Sequence, residues 1–208
     1  MAEWWLLFKE RKHSGLDSLR RAISNPLTGY VARFIARSGI HPNVISGLGL
    51  LLSILAGGSA ATGQFVWAAI LVLVSGLFDL LDGAVARASN KISRFGGVLD
   101  STLDRLGEAA LLLGLLIFFI RESSVPGILL VNISLVTSGL VSYIKARAEG
   151  SGVACPVGLF TRAERIILFA LGLFIDQVII VLVVISLLSF VTAIQRMLYV
   201  WRQMRSKD

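Results

Sequence analysis

Residues 79–104 read DLLDGAVARASNKISRFGGVLDSTLD, with long apolar runs on both sides. Asp79, Asp82, Asp100 and Asp104 therefore stand in a chain otherwise suited to lipid. A carboxylate at membrane depth is expensive, so four together call for a compensating charge. A divalent metal supplies it most simply, because hard cations take carboxylate oxygens and two ions can share four such groups. The spacing agrees. Asp79 and Asp82 are i,i+3 and Asp100 and Asp104 are i,i+4, so each pair lies on one face of a helix. Two helices crossing with those faces together make a single acidic cage.

The composition places the chain in a membrane. Of 208 residues, 55% are hydrophobic and 16% charged, and the mean hydropathy is +0.79, too apolar for a soluble domain of this size. The lone cysteine, Cys155, excludes an internal disulfide framework and reads as a small residue near a Gly-containing loop. Trp4 to Phe8 is too short for a cleavable signal and runs into Lys9, Glu10, Arg11 and Lys12. A formal net charge of +7 would suggest nucleic acid in a soluble protein. Here the positive-inside rule accounts for it, and no nucleic-acid partner is expected.

The expected fold is an all-α integral membrane protein of six transmembrane helices. Residues 1–41 are polar and basic, with Leu19, Ile23, Leu27, Val31, Phe34 and Ile35 in amphipathic spacing. They read as a cytoplasmic, interfacial region. Residues 42–200 form the catalytic domain, with spans at about 42–61, 65–88, 96–120, 126–148, 163–176 and 178–200. Residues 201–208 are a cytoplasmic tail. The breaks between spans are short and polar. Lysine and arginine collect on one side, from Lys9 to Arg37, at Arg87, Lys91 and Arg94, at Lys145, Arg147, Arg162 and Arg165, and at Arg202, Arg205 and Lys207. The other side holds only Arg121. Both termini and the acidic cage therefore face the cytoplasm, in a multi-pass protein of the cell membrane.

The faces around the acids suit a phosphate ligand. Asp79, Asp82, Gly83, Ala86 and Arg87 share one side of the second span. Gly83 and Ala86 take away bulk so that a ligand can approach the backbone, and Arg87 is a cation shaped for phosphate. Gly96, Asp100, Asp104, Gly107 and Glu108 share a side of the third. Acid, little bulk and an arginine fit a metal-bound diphosphate. Tight helix packing alone would explain the glycines, but not four acids. His13 and His41 lie in the N-terminal region, away from these faces, and read as interfacial or turn residues.

The same stretch matches D-x2-D-G-x2-A-R-x8-G-x3-D-x3-D at all eight fixed positions. In this the chain resembles the CDP-alcohol phosphotransferases, and the likeness of span count and motif placement extends along its length. The resemblance implies a six-helix membrane enzyme, homodimeric, that transfers a substituted phosphoryl group from a CDP-linked donor to an alcohol and releases CMP. It implies metal ligation by Asp79, Asp82, Asp100 and Asp104, with Asp104 at the metal edge as the general base. The expected ions are two Mg²⁺ per site, with Mn²⁺ as a substitute. Donor contacts are implied for Asn43, Ser46, Gly83, Ala86, Arg87 and Ser93, beside Asp79 and Asp82. A donor with two lipid tails fits a cage near the interface, where the tails stay among membrane lipids.

The acceptor is read from a second set of residues. Ser142-Tyr143-Ile144-Lys145-Ala146-Arg147-Ala148-Glu149 ends the fourth span, Thr161-Arg162-Ala163-Glu164-Arg165 opens the fifth, and Gln195-Arg196 lies in the sixth. Fixed cations beside a metal site suit a phosphorylated polyol. These strings are similar to the phosphatidylinositol-phosphate synthase branch, which implies inositol phosphate as acceptor, held by Ser142, Lys145, Arg147, Arg165 and Arg196. Glycerol 3-phosphate, the acceptor of phosphatidylglycerophosphate synthases, is the alternative. Intramembrane acids also line divalent-cation transporters, but the outer halves of these spans are almost wholly apolar and offer no path.

Overall fold

The computed structural model describes residues 42–89 and 93–205. The amphipathic region expected at 1–41, Lys91 and the last three residues lie outside them. The described residues form six helices: α1 (Pro42–Ala61), α2 (Phe65–Ala88), α3 (Arg94–Arg121), α4 (Val125–Gly150), α5 (Arg162–Phe174) and α6 (Val178–Arg205). These bounds follow the polar breaks in the sequence closely, except that α6 runs through Arg205, five residues past the expected end of the last span. Short capping signals set the breaks. Gly63 closes the first turn with a φ of 76°, a conformation that favours glycine. The Ser93 side chain accepts from the Gly96 N–H to start α3, and Ser124 caps α4 ahead of Pro126.

Four helices, α1, α2, α4 and α6, are long and apolar enough to cross a membrane. This is the make-up of a multi-pass membrane protein. The other two differ for distinct reasons. α3 has 28 residues but carries Asp100, Asp104, Arg105 and Glu108 within its first fifteen. α5 has 13 residues, about 20 Å of helix. The outward faces expose Val66, Trp67, Leu113, Ile180, Leu187 and Phe190, a surface suited to acyl chains and not to water.

The helices close a ring. α1 packs on α2 and α3, α3 on α4, α4 on α6, α6 on α5, and α5 returns to α2. Leu112, Leu115, Leu182 and Ile185, all fully buried, lie in the core between them. Small residues let α1 and α3 approach closely: a Cβ on Gly57 would run into the Ala110 backbone, and one on Gly114 into the backbone of Gly57. Hydroxyls join α4 to α6, with Ser134 and Ser186 2.9 Å apart. At the apolar-rich end, Arg121 donates to the Ala61 carbonyl at 3.2 Å, which satisfies an orphan acceptor where α1 stops.

Candidate active site

α2 and α3 are not a close-packed pair; α1 lies between them. The expected direct crossing is thus replaced by a gap that the carboxylates span. One oxygen each from Asp79, Asp82 and Asp100 falls within 4.8 Å of the other two. Oxygens bound to a single divalent ion at about 2.0–2.6 Å stand no further apart than about 5 Å, so this set fits a hard divalent cation. The donor chemistry fits as well, since all three are carboxylates.

α1 contributes directly to this cluster. The Ser46 hydroxyl donates to Asp82 Oδ2 at 2.5 Å, orienting the most buried of the three acids. Asn43, one turn earlier, brings its Oδ1 near Gly96, at the start of α3. Gly83 leaves space beside the acids: a Cβ there would meet only Arg87 Nη1, at 3.4 Å. Ala86 is half-buried and Arg87 exposed. Ser93 serves as the helix cap already described.

Asp104 is held from the opposite wall. Arg162 Nη1 lies 2.7 Å from Asp104 Oδ1 and 2.6 Å from Asp79 Oδ2. The arginine sits on the first turn of α5, where Glu164 reaches back to accept from both the Thr161 N–H, at 2.8 Å, and the Thr161 hydroxyl. Ser46, Ser53, Asp79, Asp82, Asp104 and Arg162 line a common cleft. Arg162 is the residue whose place the sequence reading missed, since it stood there only as one cation in a basic string. A usable signal was its i,i+3 spacing from Arg165, which parallels Asp104 and Glu108 on α3.

The residues expected at the acceptor divide into three groups. Ser142 is half-buried and Arg147 exposed on the last turns of α4, and Lys145 pairs with Glu149 at 3.8 Å on the same helix. Arg165 is buried against Glu108. Arg196 is also buried and donates to main-chain carbonyls, from Nε to Val157 at 2.9 Å and from Nη1 to Val141 at 2.5 Å. Gln195 and Thr192 accept from the Leu159 and Phe160 N–H groups. Together these α6 side chains hold the strand of loop that leads into α5. Cys155, in the same loop, is buried and its thiol is pushed up by desolvation, as suits a packing residue.

An acidic, metal-fitting cleft lined by Arg162 and set in apolar helices has the make-up of a membrane enzyme's active site. The sequence model of CDP-alcohol phosphatidyltransferases matches residues 39–201, and the chain belongs to that family. It is 36% identical over 203 residues to the archaetidylinositol phosphate synthase of Methanothermobacter thermautotrophicus, covering 91% of this chain and 100% of that one. To the phosphatidylinositol phosphate synthase of Mycobacterium tuberculosis it is 36% identical over 204 residues, with 90% and 92% covered. The solved M. tuberculosis enzyme with CDP-DAG bound superimposes with a TM-score of 0.78 at 34% identity, over 84% of this chain and 94% of that one. The same enzyme in complex with manganese and citrate gives 0.77 over 84% and 89%. The protein is a transferase, which removes the transporter alternative.

Proposed function

We propose that the protein transfers a phosphatidyl-type group from a CDP-linked lipid to a hydroxyl of a phosphorylated polyol, inositol phosphate foremost, releasing CMP. The observation that carries this reading is the convergence of Asp79, Asp82 and Asp100 within one ion's reach, inside the family's signature. The names of the two synthases, and the CDP-DAG and manganese held by the M. tuberculosis enzyme, support the donor, acceptor and metal. In this reading Asp79, Asp82 and Asp100, with Asp104 at the edge, hold two divalent ions, Mg²⁺ by preference. When bound, the ions neutralise the diphosphate oxygens and the departing CMP.

The chain's own groups do the rest. Asn43, Ser46, Gly83, Ala86, Arg87 and Ser93 seat the donor beside the acids. The acceptor's hydroxyl oxygen attacks the lipid-bearing phosphorus, the bond from that phosphorus to the bridging oxygen of CMP breaks, and Asp104 takes the hydroxyl proton. Arg162 keeps Asp104 oriented from the far wall. Ser142, Lys145, Arg147, Arg165 and Arg196 are assigned to the acceptor's phosphate, Arg196 after release or sharing of its main-chain contacts. All six helices cross the membrane, with the site toward the cytoplasm and two copies forming a dimer.

A panel of labelled acceptors tests the reading. Purified protein with CDP-diacylglycerol and Mg²⁺ should make inositol phosphate lipid-bound in preference to glycerol 3-phosphate and to free inositol. Preference for glycerol 3-phosphate would move the assignment to the alternative acceptor, and preference for free inositol would reject an anionic pocket.

A further inference from the structure

Beyond the acids, α3 and α5 meet across the ring interior through two arginines although the helices are not close-packed neighbours. Asp104 and Glu108 stand one turn apart on α3, and Arg162 and Arg165 are i,i+3 on α5. The second rung is bidentate. Arg165 Nε donates to Glu108 Oε1 at 2.7 Å and Nη2 to Oε2 at 2.9 Å. Arg165 is 2% exposed, so this guanidinium is fixed in place by its fork and its packing. Its third nitrogen, Nη1, is buried without a hydrogen-bond partner, as is Nε of Arg162. Both arginines line one small cavity with Ser75 and Glu108 and with the apolar Val72, Leu111 and Phe169. Folded proteins leave few buried donors unpaired, so two such donors on arginines that line one cavity have capacity for an acceptor oxygen, from water or from a ligand.

We propose that Glu108 is a positioning residue for the transfer reaction: it occupies the Nε/Nη2 edge of Arg165 and so presents Nη1 to the phosphate of the acceptor. The proposal rests on the anionic-acceptor reading given above. Glu108 makes no substrate contact of its own. Without it, Arg165 keeps its charge but loses the fork that orients it, and the flexible side chain meets the phosphate in several poses. A simple staple between α3 and α5 would use the same ion pair, but would act on donor and acceptor alike.

The test is a kinetic split in the full-length enzyme. Glu108→Gln keeps the volume and one acceptor atom while facing the second Arg165 donor with an N–H. It should raise KM for the phosphorylated acceptor roughly tenfold, and Glu108→Ala more, while KM for the CDP-lipid stays within about twofold. If Glu108 acts through Arg165, its effect should largely vanish in an Arg165→Lys background, because lysine has no fork to hold. Equal rises in both constants, an acceptor KM that does not move, or additive effects in the double variant would overturn the proposal. Glu108 variants that do not fold while Arg165→Lys does would make the pair a staple and overturn it too. A parent enzyme that accepts no phosphorylated alcohol would remove the functional reading and this inference with it; a parent that accepts one, with Glu108 variants unshifted, removes this inference alone.

Discussion

Changing Asp79, Asp82 or Asp100 to asparagine takes one negative oxygen from a set that fits within 4.8 Å. Each change should weaken Mn²⁺ binding, read by electron paramagnetic resonance, and nearly abolish turnover. Asp104→Asn should behave differently. It should keep metal and CDP-lipid binding but lose about a hundred- to ten-thousandfold in rate, because the amide cannot take the hydroxyl proton. A variant within a few-fold of the parent would assign the base elsewhere. The acids themselves were legible in the sequence, because i,i+3 and i,i+4 spacing fixes a helical face before any tertiary contact is known. Their partners were not. Ser46 reaches Asp82 from 36 positions away, and Arg162 reaches Asp79 and Asp104 from another helix. Such pairings depend on how helices are ordered around the ring, which spacing within one helix does not contain. Arg196 illustrates the same limit. A buried arginine in an apolar run was readable, but its two carbonyl partners belong to a distant loop and helix.

Helix bounds were readable because apolar runs stop at small polar breaks, and the structure follows those breaks closely at Gly63, Ser93 and Ser124. The order of packing was hidden. Nothing in the patterns of α2 and α3 shows that α1 stands between them; the clue lies in Gly57 and Gly114, which read in isolation as ordinary small residues of a membrane helix. The same α1 also lines the acidic cleft through Ser46 and Ser53. Gly114→Leu forces a side chain into the Gly57 backbone, and overpacking of this kind typically costs about 1–3 kcal/mol. It should lower the melting temperature in detergent by more than the control Gly58→Leu, whose added side chain meets open space. Equal melting temperatures for the two variants would show that the α1–α3 approach is not tight.

The ring of helices acts as an enzyme only if its acids sit at a defined membrane face. α3 is the deciding element, because its charges set it apart from the four plainly apolar helices. With Cys155→Ser as background, cysteines at Lys91 and Glu122 flank α3 and should label from opposite sides of intact cells, Glu122→Cys from outside. Labelling of both from one side would mean that α3 does not cross. In the proposed orientation a bilayer-spanning α3 would bring Asp100 and Asp104 toward the cytoplasmic end, where water-soluble CMP and polyol could come and go while lipid tails remained among the helices. That placement, the metal-fitting acids and the family's chemistry together amount to the proposed metal-dependent transfer at one membrane face. It is tested most directly by following CMP and lipid product together in purified protein supplied with CDP-diacylglycerol and labelled inositol phosphate. The expected outcome is one CMP per labelled lipid, stopping when a chelator is added and resuming when Mg²⁺ is restored in excess. Product formation that continues at the same rate through chelation, or CMP release with no label reaching the lipid, would contradict it.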